Sequence, residues 1–194
     1  MLTEKYKDFI EEIAKKVRSD LHQTQAPNKY NYDEVLRWLK KNGAEVKHGE
    51  FNHTIGNIIY LTCFEEKPGG KSKRLNIKDY DDAKTLFHEI WHFIVNSISL
   101  QFPDSPDIAM DPESGLLALN KTDKNFTPHP IIGEEIAGNY FAQAILLPED
   151  EFVKSIMNNV SINGSFNVHN VATYFSTSYP EVISRGRDLS LWSK

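Results

Sequence analysis

The spacing of apolar residues predicts a chain in which helices flank a short β-rich region. Between residues 2 and 21 the apolar positions recur every three or four residues, which is the period of one helix face. The same period predicts further helices at about 33–41, 81–99, 131–147, 149–158, 168–175 and 180–189. Thr3 precedes the first helix as its predicted N-cap, and Asn42-Gly43 is a stop signal after the second.

Between residues 43 and 78 the pattern changes to a loose alternation of apolar and polar residues. This segment contains four isoleucines, three aromatic residues and one valine, which are residue types common in strands. We expect two or three strands here, with Gly49 and Gly56 at turns or bulges and a further turn at 67–71. The predicted fold class is therefore α+β, with a small mixed or antiparallel sheet packed against helices and a short C-terminal helical segment.

We predict that the chain has two parts. Residues 1–148 form the larger part. It divides into N-terminal helices at 1–42, the sheet at 43–78, and the helices that carry the candidate site at 79–148. Residues 149–194 form a C-terminal helical subdomain. Residues 101–130 contain five prolines, and we expect an inserted loop there because so long an irregular connection inside a domain is usually functional or inserted.

The composition of the 194 residues excludes several classes of protein. A net charge of −5 provides no overall attraction for nucleic-acid phosphates or anionic membranes. The one cysteine, Cys63, excludes an internal disulfide and is compatible with a reducing compartment. The first residues mix acids and bases unlike a signal peptide, and the longest apolar runs are far shorter than the roughly 20 residues of a membrane span. We therefore expect an acidic cytoplasmic protein that does not enter a membrane.

Residues 88–92 read His-Glu-Ile-Trp-His, which is an H-E-x-x-H motif inside the helix predicted at 81–99. Positions i and i+4 share one face of a helix, so the rings of His88 and His92 can both bind one Zn²⁺. Glu89 projects close to the metal without being a ligand. In such a site zinc lowers the pKa of a water towards about 7, and the carboxylate accepts the proton. The motif therefore predicts hydrolysis with Glu89 as the catalytic acid/base.

The alternative is a helix with two incidental histidines. The motif, however, lies among apolar residues that include Leu86, Phe87 and Phe93. Two imidazoles and a carboxylate in such surroundings are costly without a partner, and a zinc ion would supply one.

A catalytic zinc site needs a third protein ligand and an open position. Residues 93–128 contain no histidine, so the third ligand is expected to be an acid on a later helix. Glu135 and Asn139 are four residues apart and share one helix face. We predict that Glu135 binds the metal and that Asn139 hydrogen-bonds a zinc-bound histidine. Glu134 points elsewhere and fits a charge at the positive end of its helix.

The H-E-x-x-H motif is followed at residues 135–148 by Glu-Ile-Ala-Gly-Asn-Tyr-Phe-Ala-Gln-Ala-Ile-Leu-Leu-Pro. Together the two segments resemble the ImmA/IrrE family of bacterial and phage zinc metallopeptidases, whose second motif runs roughly E-x-x-A-N-x-F-A-x-x-L-L-x-P. The similarity covers about residues 45–190. It implies a gluzincin-like α+β fold with a zincin-like active-site helix. It also implies zinc bound by His88, His92 and Glu135, with Glu89 as the acid/base.

Three features depart from the family pattern. Trp91 replaces the usual glycine before the second histidine, so the helix is expected to meet a bulkier neighbour. Gly138 stands where the family prefers alanine, which loosens that helix by up to about 1 kcal/mol. The 42 residues between His92 and Glu135 exceed the expected spacing, in agreement with an insertion.

The resemblance also implies a substrate, because family members often cut a helix-turn-helix repressor encoded nearby. We therefore expect a zinc metalloendopeptidase that hydrolyses a peptide bond in a regulatory protein of a phage or mobile element. The alternative is a zinc-containing regulatory module that binds a repressor or partner without cleaving it, with the loop at 101–130 occluding the cleft.

The short helices predicted near the C-terminus also suggest a DNA-binding helix-turn-helix. Residues 149–194 contain four basic and five acidic residues, a balance that is poor for phosphate contacts. We therefore expect a packing or substrate-docking element and no direct binding of nucleic acid.

Three other residues allow a catalytic interpretation. His129 could polarise a scissile carbonyl, but an exposed loop histidine is the simpler expectation. Tyr140 could be an oxyanion donor, but a half-buried core tyrosine is expected. Cys63 lies in a strand pattern, where a small buried residue is more common than a nucleophile.

Overall fold

A computed structural model describes residues 2–21, 30–66, 72–97, 130–161 and 164–192. Within these ranges the helices are α1 (Glu4–Asp20), α2 (Tyr32–Lys41), α3 (Tyr80–Ser97), α4 (Pro130–Leu146), α5 (Glu149–Asn158), α6 (Val168–Tyr174) and α7 (Tyr179–Asp188). The strands are β1 (Glu45–His48), β2 (His53–Ile55), β3 (Ile58–Leu61), β4 (Phe64–Glu66) and β5 (Lys73–Leu75). The α+β class is confirmed.

The helix bounds agree with the apolar periodicity to within two residues at each end. Thr3 is the N-cap of α1, as predicted, and its side chain accepts a hydrogen bond from the backbone N–H of Tyr6. The expectation of two or three strands was wrong, because four short strands lie between residues 45 and 66 and a fifth follows at 73–75. Strands of three or four residues are too short for alternation to separate them. The predicted turn at 67–71 and most of the predicted insertion at 101–130 lie outside the described residues.

The strands form two small sheets. In the first, β3 lies in the middle, parallel to β1 and antiparallel to β2. The β2–β3 hairpin turns at Gly56, whose φ of 59° lies in the left-handed region that favours glycine. In the second sheet β4 pairs antiparallel with β5. Strand β2 is thus an edge of the mixed sheet, and it lies against α3.

The core is centred on the contact between α3 and α4. Trp91 of α3 is fully buried, with its ring centroid 5.3 Å from that of Phe141 on α4 and 6.4 Å from that of Tyr6 on α1. Burying an aromatic side chain of this size dominates the local packing energy. The bulky residue at position 91 therefore helps to fix the two helices that carry the candidate site. None of the helices in the described ranges has the length and apolar character needed to cross a membrane.

Arg185 of α7 connects the C-terminal helices to the rest of the core. Its side chain is fully buried, and Nε donates a hydrogen bond of 2.9 Å to the backbone oxygen of Leu147. Its Nη2 lies 2.7 Å from Oε1 of Glu11 on α1, and the guanidinium carbon lies 5.4 Å from the ring centroid of Tyr140. Tyr140 is thus a core residue, as expected. The division of the chain at residue 148 stays a prediction.

Replacing Arg185 by methionine is expected to lower the free energy of unfolding by about 3 kcal/mol, because the carboxylate of Glu11 loses its partner. The measurement is urea unfolding of the wild type and the variant. Adding Glu11→Gln to Arg185→Met should restore part of the loss, since the uncompensated charge is then removed. Equal stabilities of wild type and Arg185→Met would contradict this account of the ion pair.

Candidate metal centre

The packing of α3 against α4 brings three predicted metal ligands together. His88 and His92 project from successive turns of α3, and Glu135 projects from α4. One ligand atom from each residue lies within 4.8 Å of the other two. Glu135 therefore meets two histidines that precede it by 43 and 47 positions in the sequence, and we call the three residues the His-His-Glu cluster.

The distances within the His-His-Glu cluster match those of a zinc site. The Nε2 atoms of His88 and His92 lie 3.0 Å apart. Oε2 of Glu135 lies 3.1 Å from Nε2 of His88, and Oε1 lies 3.3 Å from Nε2 of His92. Two atoms bound tetrahedrally to zinc at about 2.0–2.1 Å are about 3.3 Å from each other. The three side chains can thus hold one Zn²⁺ with little rearrangement.

Asn139 contacts the ring of His88 on the side away from the cluster. Its Nδ2 donates a hydrogen bond of 3.0 Å to the backbone oxygen of Glu135, one turn earlier on α4. Its Oδ1 therefore faces Nδ1 of His88, at 3.3 Å. Because an amide oxygen only accepts, this contact favours the tautomer in which Nδ1 carries the proton and Nε2 is left to bind a metal. This is the tautomer that a metal ligand requires.

Gly138 allows the ring of His88 to pack directly against the backbone of α4. A Cβ atom at position 138 would lie 3.0 Å from Cε1 of His88 and 3.1 Å from its Nδ1, closer than ordinary van der Waals contact. In the sequence this glycine is only a weakness of the helix. In the structure it leaves the space that the imidazole occupies.

Replacing Gly138 by valine is expected to weaken zinc binding about 10- to 100-fold, because His88 has to move away from Asn139. The metal-free protein should change in stability by no more than about 1 kcal/mol, since valine is the better helix former and an unligated ring can turn aside. Chelator competition gives the zinc affinity, and thermal unfolding in excess chelator gives the stability. Unchanged zinc affinity would show that zinc binding does not need the close packing of His88 against α4.

Glu89 lies beside the His-His-Glu cluster and is 5% exposed. The hydroxyl of Thr54, on β2, lies 2.8 Å from Oε2 of Glu89 and 3.1 Å from its backbone oxygen. Burial raises the pKa of Glu89, opposed by the hydrogen bond from Thr54 and by the nearby His88. A raised pKa suits a carboxylate that accepts and returns a proton near neutral pH.

Burial lowers the pKa of His92 and the neighbouring His88 lowers it further, and together they outweigh the opposing effect of Glu135. His92 is therefore neutral at neutral pH, which is the form that binds metal.

A cavity of about 340 Å³ opens beside this group. Its lining residues come from α3 and α4: Asp81, Lys84, Thr85, His88, Glu89 and Asn139. The ammonium group of Lys84 lies 2.7 Å from Oε1 of Glu181 on α7. The ion pair holds the lysine at the cavity wall and joins α7 to this side of the site.

The structure thus brings together His88, His92, Glu135 and Asn139, and it places Glu89 next to them. Sequence reasoning missed Thr54, because a polar residue in a three-residue strand has no distinctive pattern.

The remaining candidates lie elsewhere or outside the description. Cys63 is partly buried, and burial raises the pKa of its thiol to about 11. The thiol is therefore protonated at neutral pH, as expected of a residue that is not a nucleophile. His129 lies outside the described residues.

Comparisons with protein-family models, with curated proteins and with solved structures found no match. The resemblance to the ImmA/IrrE family therefore stays a prediction from the two sequence motifs. The geometry of the His-His-Glu cluster and the position of Glu89 are therefore the structural basis for a function.

Proposed function

We propose that the protein is a zinc-dependent metalloendopeptidase and that α3 is a zincin-like active-site helix. The observation that carries the proposal is the convergence of His88, His92 and Glu135: the two Nε2 atoms lie 3.0 Å apart, and each lies 3.1 to 3.3 Å from one of the two carboxylate oxygens of Glu135. A buried carboxylate, Glu89, lies beside this cluster. Three protein ligands, an open fourth position and an adjacent carboxylate are the requirements of metal-assisted hydrolysis.

Each side chain has a separate task in the proposed reaction. When bound, Zn²⁺ would supply a Lewis acid that polarises the peptide carbonyl and acidifies a water molecule. His88, His92 and Glu135 hold the ion, and Asn139 keeps the ring of His88 in the ligating tautomer. Glu89 accepts a proton from the attacking water and transfers it to the leaving amine. The proton is accepted on Oε1, because Oε2 already accepts the hydrogen bond of Thr54.

The proposed substrate is a regulatory protein, as the resemblance to the ImmA/IrrE family implies. A helix-turn-helix repressor of a phage or mobile element is the specific expectation. The cytoplasmic location belongs to the same proposal.

The proposal is tested by incubating the purified protein, loaded with one equivalent of Zn²⁺, with a proteome-derived peptide library. The helix-turn-helix protein encoded by a neighbouring gene, if there is one, is tested in parallel. Mass spectrometry should detect new peptide termini, and the metal-free protein should produce none. A stable complex with the repressor and no fragments in either assay would favour the module that binds without cleaving.

A further inference from the structure

We infer that Thr54 is a positioning residue for Glu89: its hydroxyl holds Oε2 of the carboxylate so that Oε1 is directed to the reacting groups. The inference rests on the proposed function, because it assigns a role in the same reaction. Two observations support the inference: β2 packs against α3, and the Thr54 hydroxyl lies 2.8 Å from Oε2 of Glu89.

Strand β2 presents Thr54 to α3 because side chains alternate along a strand. The neighbours of Thr54 point to the opposite face: the ring of His53 stacks on Tyr60 at 4.6 Å, and Ile55 is 63% exposed. His53 and Tyr60 are partners in the β2–β3 register, which is why they share that face. The orientation of Thr54 is therefore set by the sheet.

Hydrogen bonds from two positions join the β2–β3 hairpin to α3. The single proton of the Thr54 hydroxyl is directed between Oε2, the nearer acceptor, and the backbone oxygen of Glu89, which lies 3.1 Å away. Two turns further along α3, Nδ2 of Asn96 donates a hydrogen bond of 3.4 Å to the backbone oxygen of Gly56. Because both the hairpin and the helix are held, the hydroxyl has a defined position relative to the carboxylate.

The hydrogen bond from Thr54 gives the two carboxylate oxygens of Glu89 different surroundings. Oε2 lies 2.8 Å from the Thr54 hydroxyl, whereas Oε1 has no hydrogen bond to any of the residues that the structure describes. A glutamate has three rotatable side-chain bonds, so a fixed donor is needed to hold one productive orientation. Partners of this kind typically change the activity of a metal site by 10- to 100-fold.

Replacing Thr54 by valine keeps the shape of the side chain and removes the donor. We expect kcat for a cleaved peptide to fall about 10- to 100-fold with little change in KM, and zinc affinity to stay within about twofold. Thr54→Ser keeps the hydroxyl and should restore most of the lost kcat. Thr62→Val is the matched control, because it removes an exposed threonine hydroxyl just after β3 that contacts Asn52 and should leave kcat unchanged.

A binding measurement tests the same contact without turnover. A peptide hydroxamate binds a metal ion and donates a hydrogen bond to an adjacent carboxylate, so calorimetry with the zinc-loaded protein reports on the orientation of Glu89. Thr54→Val should weaken hydroxamate binding about tenfold in the wild-type background. In the Glu89→Gln background it should cause no further loss, because the oriented carboxylate is already absent.

Unchanged kcat in Thr54→Val, or a Thr54→Ser variant as slow as Thr54→Val, would overturn the inference while the proposed function stands. An equal loss of hydroxamate affinity in both backgrounds would also overturn it, since Thr54 would then act independently of Glu89. If the wild type binds zinc but cleaves no peptide, the proposed function fails. The hydroxamate measurement still decides whether Thr54 orients Glu89.

Discussion

Replacing Glu89 by glutamine is expected to lower kcat for peptide cleavage by about 10²- to 10⁴-fold, because glutamine cannot accept and return the proton. Zinc should remain at one ion per chain, since Glu89 is not part of the His-His-Glu cluster. The packing should also be kept, because the amide oxygen of glutamine can accept the hydrogen bond of Thr54 in place of Oε2. Metal analysis and a peptide-cleavage assay measure the two quantities on the same preparation.

Glu134→Gln is the matched control for this variant. Glu134 is a partly buried carboxylate on α4, next to Glu135, and it has no part in the proposed reaction. Its variant should retain both zinc and cleavage. If Glu89→Gln cleaves as fast as the wild type, Glu89 is not the acid/base. If Glu89→Gln loses zinc, Glu89 supports the metal site directly, contrary to the proposed division of roles.

Replacing Glu135 by alanine is expected to weaken zinc binding at least about 100-fold, above the range typical of outer-shell partners. The reason is that only the two histidines of α3 then remain as ligands among the residues that form the cluster. Cleavage should disappear together with the metal. Zinc affinity from chelator competition gives the effect, and thermal unfolding without metal checks that the half-exposed side chain of Glu135 is not needed for folding.

Glu134→Ala serves as the control for this loss, because it removes a carboxylate from the adjacent position of the same helix. Only Glu135→Ala should lower zinc affinity strongly. Equal losses in the two variants would indicate a diffuse electrostatic effect of the acids at this end of α4. Unchanged affinity in both would remove Glu135 from the ligand set.

The sequence predicted those parts of the site that depend on helical periodicity. His88 and His92 are one turn apart on α3, and Glu135 and Asn139 are one turn apart on α4, so each pair follows from the geometry of a single helix. The contact between the two pairs was predicted through the chemistry of zinc, which needs a third ligand, and through the resemblance to the ImmA/IrrE family. The structure brings the pairs to hydrogen-bond distance.

The rest of the site depends on contacts between elements that no local pattern records. Thr54 reaches Glu89 because a three-residue edge strand packs on α3, and strands so short give little periodicity. Helix propensity makes Gly138 a weak point of α4, and only the approach of the His88 ring from α3 explains why the position lacks a side chain. The number of strands was underestimated for the same reason, since the two sheets are held together by pairing between segments rather than by long apolar runs.

The most direct test of the account is zinc K-edge X-ray absorption of the protein loaded with one equivalent of Zn²⁺. The His-His-Glu cluster predicts one tightly held ion with two imidazole nitrogens at about 2.0–2.1 Å, oxygen in the remaining positions and no sulfur. Glu135→Ala should reduce the occupancy while Glu134→Ala should not. Zinc that is not retained, or a first shell without imidazole, would contradict the central claim that these three side chains form one metal site.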